Sequence, residues 1–257
     1  MDGLLLIDKP QGWSSFDVIR KLRGTFGADD KAGNAGNQNT GKDGKRTSQP
    51  GARPPKMGHA GTLDPMATGL LMVLVGRATK QQDQFMGLEK TYQAEVTLGA
   101  TSTTDDAEGT IYPAQDQPAN SESPPNPQPE EKQVRKLLEQ FQGTIGQVPP
   151  QYSAIKVDGQ RAYALARDGA EVELEPRSVV VHEMSAVVYQ YPTLRFMARV
   201  SSGTYLRSLA RDIGQELGTG GYLSSLRRVA IGDYSVEAAV SPEAGKEQLS
   251  AAIRPTH

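Results

Sequence analysis

Two stretches of this chain alternate apolar and polar side chains residue by residue. In Thr91–Leu98, Tyr92, Ala94, Val96 and Leu98 fall on one side and Thr91, Gln93, Glu95 and Thr97 on the other. Further on, Leu194, Phe196, Ala198 and Val200 alternate with Arg195, Met197 and Arg199. A period of two is the period of the pleat, so each stretch predicts a strand with one buried and one wet face. Such strands belong to antiparallel sheets with one face packed on a core.

The other ordered segments differ in period. Gly3–Asp8 reads as a short buried strand, and Leu70–Val75 as a continuous apolar strand closed by Gly76. Ser14-Ser15-Phe16-Asp17 has the pattern of a capping box opening a helix through about Leu22. Glu130–Phe141 places Val134, Leu137, Leu138 and Phe141 at helical spacing, with acids in the first turn. Leu206, Leu209, Ala210, Ile213 and Leu217 form a second helical stripe, ending near Gly218. No regular β-α-β rhythm joins these pieces. The expected class is α+β: a largely antiparallel mixed sheet flanked by helices.

A length of 257 residues suits one large domain or two small ones, and we expect a single domain over 1–257. Two segments break the globular pattern. Residues 27–55 have almost no apolar side chains and read as a disordered insertion. Residues 113–129 carry six prolines and read as an extended linker within the domain. The chain has no Cys, which excludes disulfides and thiol catalysis and suits a reducing compartment. No apolar run approaches the length of a membrane span, so a cytoplasmic protein is expected. The formal charge of −2 argues, by itself, against a nucleic-acid partner. Residues 105–135, however, hold seven acids and two bases, which leaves the remainder with a positive excess of three. Charge therefore permits such a partner without requiring one.

The segment from Lys56 to Gly69 concentrates the chemistry. Gly58, Gly61 and Gly69 surround His59 and Asp64 in a stretch that leads into the buried Leu70–Val75. Glycine permits close backbone approach to a ligand. Pro65 disfavours helix at Asp64 and so fixes where its carboxylate sits. A solvated Asp on a tight turn fits this spacing equally well.

Six short motifs in order give the chain its resemblance. The segment Lys56 to Gly69, with Gly58-His59-Ala60-Gly61-Thr62-Leu63-Asp64-Pro65 at its centre, resembles the catalytic loop of the bacterial tRNA pseudouridine-55 synthases, the TruB family. Leu5 to Ser15, including Asp8-Lys9-Pro10, resembles that family's opening motif. Lys90-Thr91-Tyr92 resembles its tyrosine strand, and Thr103 to Gly109 the acidic turn after it. Pro149 to Lys156, with Gly159 to Tyr163, resembles its thumb insertion. Ser202 to Arg207 and Leu226-Arg227-Arg228 resemble its closing motifs. The match runs over roughly residues 3–235, outside the two low-complexity segments.

The resemblance implies the pseudouridine synthase fold with a thumb-like insertion. It implies isomerisation of one uridine in the T-loop of tRNA, through a base flipped out of its stack. Asp64 is then the nucleophilic carboxylate, Tyr92 the stacking platform and proton carrier, and Arg207 the partner that keeps Asp64 ionised. Lys9, His59, Tyr92, Tyr205, Leu226 and Lys156 are implied substrate contacts, with Arg161 and Arg167 as further phosphate binders. From pattern alone, Tyr92 and Leu226 could be core, Arg207 a solvated helix residue and His59 structural. The implied partner is the T-arm of tRNA. No obligate protein partner, membrane, metal or organic cofactor is expected for a redox-neutral isomerisation by a monomer.

Three departures from the family pattern stand out. Residues 27–55 exceed the expected connection, Ser202 stands where relatives often carry Lys, and no small C-terminal RNA-binding domain is evident before His257. Competing readings are a non-catalytic tRNA-binding module of the same fold and a glycoside hydrolase pairing Asp64 with Asp105 or Asp106. A metal enzyme is more remote, because His59 and Asp64 alone make no convincing ligand set.

Overall fold

The computed structural model describes residues 1–27, 54–113, 128–153, 156–157, 160–161 and 174–256. Most of the expected insertion and linker, at 28–53 and 114–127, lies outside them. The chain divides into two compact units, one of Met1–Met86 with Ser235–His257 and one of Gly87–Tyr234.

In the first unit, strand β1 (Gly3–Lys9) is followed by helix α1 (Ser15–Gly27). Then come strands β2 (Met57–Ala60) and β3 (Thr68–Val75) and a short helix α2 (Gln82–Met86). β3 pairs antiparallel with both β1 and β2, Val75 standing opposite Gly3 and Met57. Its continuous apolar run is explained by burial of nearly every residue. The expected capping box is present: Asp17 N–H donates to Ser14 Oγ at 3.1 Å and Ser14 N–H to Asp17 Oδ2 at 2.9 Å. α1 continues past Leu22 to Gly27 because Phe26 extends the buried stripe of Val18, Ile19 and Leu22. That stripe packs with Leu5, Ile7, Leu71 and Val73 of the strands and Leu249 of a C-terminal helix, Lys246–Ala251.

The second unit is built on strands β4 (Lys90–Leu98), β7 (Gly143–Gln147), β10 (Arg177–Gln190), β11 (Thr193–Val200) and β12 (Gly221–Ile231). Two-stranded pairs β5–β6 (Ala100–Ser102, Ile111–Pro113) and β8–β9 (Lys156–Val157, Gln160–Arg161) accompany them. The sheet order is β12-β4-β11-β10-β7, antiparallel throughout. The alternating faces fall as expected: Ala94, Val96, Leu98, Leu194, Phe196, Ala198 and Val200 are all buried. Helix α3 (Glu131–Gln140) packs on β10, and helix α4 (Leu206–Glu216) on β12. α4 approaches β12 closely enough that a Cβ on Gly214 would stand 2.2 Å from the Gly221 nitrogen, so glycine is required there. Among the described residues, no helix is long and apolar enough to cross a membrane.

Candidate active site

Asp64 occupies the loop between β2 and β3. Its carbonyl accepts the Ala67 N–H at 3.1 Å, closing a turn with Asp64 first and Pro65 second, the positions those residues favour. Leu63, Met66 and Ala67 are buried and anchor the loop, while Asp64 is half-buried. Gly61, at φ +90°, supplies the left-handed backbone that turns the chain out of β2.

Three residues of the opening motif hold the loop at Leu63 and Pro65. Ser15 Oγ donates to the Leu63 carbonyl at 3.1 Å and accepts the Leu63 N–H at 2.9 Å. Gly12 N–H donates to the Pro65 carbonyl at 2.8 Å. Lys9 Nζ donates to the carbonyls of Trp13 (2.6 Å), Pro10 (3.0 Å) and Pro65 (3.4 Å). Lys9, implied by the resemblance as a substrate contact, is fully buried, and its ammonium donates to these loop carbonyls. A buried ammonium is tolerated only with such partners. His59 lies on β2 opposite Val73, half-buried and in the same unit as Asp64.

Tyr92, Tyr205, Arg207 and Leu226 belong to the second unit. Tyr92 on β4 stands opposite Ala198 on one side and Arg228 on the other. Leu226 stands opposite Ala94, two residues along β4 from Tyr92, so Tyr92 and Leu226 are diagonal neighbours on one face. Both are 8% exposed: they sit at the margin of the core, each with a fraction of its surface uncovered. Tyr205 precedes α4. Its N–H donates to Gln147 Oε1 at 2.8 Å and its carbonyl accepts from Gln147 Nε2 at 3.1 Å, so one buried side-chain amide fixes both of its backbone groups.

Arg207 in the first turn of α4 is not on a solvated face. It is buried, with Nη1 3.4 Å from Asp106 Oδ2 and Nη2 donating to the Tyr152 carbonyl at 2.9 Å. One turn on, Arg211 Nη1 meets Asp105 Oδ2 at 2.9 Å. The acidic turn and α4 therefore face each other as two charge pairs in register. Asp106 also accepts from the Thr104 hydroxyl (2.5 Å) and the Glu108 N–H (3.0 Å). Burial pushes the Asp105 carboxyl above the usual carboxylate range, against the pull of Arg211 and Arg207. Asp105 holds φ +61°, a conformation Asp tolerates better than most residues.

Gln147 and Ser15 carry no signal as site residues in the sequence, and Asp106 enters there as part of the acidic turn and as a possible carboxylate partner of Asp64, whereas in the structure it pairs with Arg207. Lys156 falls on β8, but its side chain and residues 162–173, which include Arg167, lie outside what the structure describes. No cluster of three or more potential metal ligands occurs among the described residues.

Comparison with known proteins places this geometry in a family. Residues 48–206 match the TruB family pseudouridylate synthase N-terminal domain, and residues 207–255 match the tRNA pseudouridylate synthase B C-terminal domain. The second match includes the closing motif Leu226-Arg227-Arg228. The chain is 42% identical over 248 residues to tRNA pseudouridine synthase B of Thermobifida fusca, covering 93% of this chain and 73% of the relative. It is 39% identical over 245 residues to the protein of the same name from Aquifex aeolicus, covering 95% and 73%. Among solved structures it resembles a chain of a Cbf5-Nop10-Gar1 complex, with a TM-score of 0.64 at 23% identity over 98% of this chain and 60% of that one. An H/ACA RNP bound to a substrate RNA containing 2′-deoxyuridine gives a TM-score of 0.59 at 22% identity over 93% of this chain. The chain spans about half the length of that second chain, and both likenesses speak for the fold alone. The chain belongs to the TruB family of pseudouridylate synthases.

Proposed function

We propose that this chain isomerises a uridine of tRNA to pseudouridine, with Asp64 as nucleophile and the T-loop uridine at position 55 as target. The observation that carries the reading is the loop itself. A half-buried carboxylate sits on a turn whose flanking residues are pinned by α1 and by a buried lysine, in a chain of this family. A nucleophile held on a supported loop loses little orientation when substrate arrives.

On this reading Asp64 forms a covalent bond and the C1′–N1 bond breaks, the uracil turns, C5 joins C1′ as the bond to Asp64 breaks, and the C5 proton leaves while N1 takes one up. A carboxylate suits the task, being first a nucleophile and then a leaving group. Tyr92 and Leu226 flank the flipped base, and Tyr92 moves a proton. Arg207 acts from the buried charge pair with Asp106, which fixes its guanidinium before substrate binds. Tyr205 lines the same base pocket, and His59 contacts the RNA near the target. The partner is the T-arm of tRNA. The protein works as a cytoplasmic monomer without metal or organic cofactor.

The test is incubation of the purified chain with unmodified tRNA transcript in buffer containing EDTA. Pseudouridine is mapped by carbodiimide labelling and primer extension. One new pseudouridine in the T-loop is the expected result. Free uracil and an abasic site would replace the reading with hydrolysis, and tRNA binding without product would replace it with a binding module.

A further inference from the structure

Helix α1 begins at Ser15, but Ser15 does not cap it. Ser14 and Asp17 satisfy the free backbone groups at that end through their reciprocal bonds. The Ser15 hydroxyl is therefore available for other work, and the residue is 2% exposed, where an unused hydroxyl would be costly. Both of its hydrogen bonds go to one residue, the Leu63 carbonyl at 3.1 Å and the Leu63 N–H at 2.9 Å.

Leu63 immediately precedes Asp64, and its carbonyl belongs to the peptide plane that enters Asp64. The plane that leaves Asp64 is held by the bond from Ala67 N–H to the Asp64 carbonyl. With both planes fixed, the backbone at Asp64 has little freedom left, and the direction in which its side chain leaves the backbone is set. Removing the Ser15 hydroxyl frees the first plane and leaves two buried polar groups of Leu63 unpaired.

We infer that Ser15 is a positioning residue for Asp64, setting the direction of its carboxylate through the Leu63 peptide. The inference rests on the reading of Asp64 as nucleophile. A serine that merely stabilises the junction of α1 and the loop would affect melting without a specific effect on chemistry.

The experiment compares wild type, Ser15→Ala, Ser15→Thr and Ile19→Val. Ile19 is a buried residue of the same helix, and its variant serves as a stability control. Each protein is read for melting temperature, tRNA dissociation constant and single-turnover rate at saturating tRNA. For Ser15→Ala the rate should fall about 10- to 100-fold with binding nearly unchanged, as expected for a small misplacement of a reacting group. Ser15→Thr keeps the hydroxyl and should recover most of the rate, while Ile19→Val should melt earlier at an unaltered rate. If Ser15→Ala turns over like Ile19→Val, or Ser15→Thr is as slow as Ser15→Ala, the inference is overturned. Should Ser15→Ala not accumulate as folded protein, Ser15→Cys is read by the same criteria. A wild type that binds tRNA but forms no pseudouridine would remove the Asp64 reading and this inference together. An active wild type with an insensitive Ser15→Ala would remove this inference alone.

Discussion

Arg207 and Asp106 form an ion pair at 3.4 Å, with side chains only 8% and 3% exposed. The guanidinium also donates to the carbonyls of Tyr152 at 2.9 Å and Thr104 at 3.3 Å, and the carboxylate accepts from Thr104 and Glu108. A buried pair is tolerated because its remaining donors and acceptors are satisfied in this way. It orients Arg207 from within the second unit, independently of substrate.

Replacing one partner exposes that dependence. Asp106→Asn keeps the shape but removes the carboxylate charge that Arg207 Nη1 meets at 3.4 Å, and should lower the unfolding free energy by about 3–5 kcal/mol. Urea unfolding measures this. Arg207→Met together with Asp106→Asn should cost clearly less than the sum of the single changes. Additive losses would mean that the pair is not coupled.

Gln147 presents a second dependence. Its amide makes two bonds to the backbone of Tyr205, the residue that leads into α4. Gln147→Leu preserves most of the volume and removes the side-chain acceptor of the Tyr205 N–H, and should cost about 1–3 kcal/mol. The same change should loosen Tyr205, seen as faster amide hydrogen exchange at the start of α4. Unchanged protection there would show that other contacts hold the helix start.

Lys90 gives a pH signature. Burial, and then the neighbouring Arg228 cation, lower its pKa from the ordinary 10.5 to about 8. Its Nζ donates to the Leu88 carbonyl at 2.5 Å. Between those two values the unfolded chain holds the proton more tightly than the folded one. The contribution of Lys90 to stability therefore rises with pH from about 8 to 10.5, and its cost is fully present below that window. Wild type should gain on Lys90→Met when urea unfolding at pH 10 is compared with pH 7, a sign set by the linkage of proton binding to folding. A stability difference that does not change with pH would place the Lys90 pKa near its ordinary value.

The elements legible in the sequence were those whose burial follows one period throughout. β4 and β11 alternate cleanly, and their observed bounds, Lys90–Leu98 and Thr193–Val200, differ from the expected ones by one residue. α4 was legible for the same reason, its stripe of Leu206, Leu209, Ala210 and Ile213 being buried along its length. β12 was not, because register shifts between Leu223 and Ser225 and between Arg228 and Ala230 break the alternation twice. β10 hides behind similar shifts between Val181 and Glu183 and between Ser185 and Val188. At the site, Asp64 stood out because Gly and Pro mark its loop, and Tyr92 and Arg207 came through resemblance. Ser15 and Gln147 were hidden because their partners lie 48 and 58 residues away, and hydrogen bonds of that span leave no local pattern.

With Asp64 as the nucleophile, release of the uracil C5 hydrogen depends on its carboxylate and reads the covalent chemistry directly. With tRNA carrying tritium at uridine C5, wild type should release label in step with pseudouridine formation. Asp64→Asn, which keeps the size and the turn, should bind the same tRNA with similar affinity and release no label above background. Release by Asp64→Asn at a rate within about tenfold of wild type, far less than the loss expected for a missing nucleophile, would contradict the account.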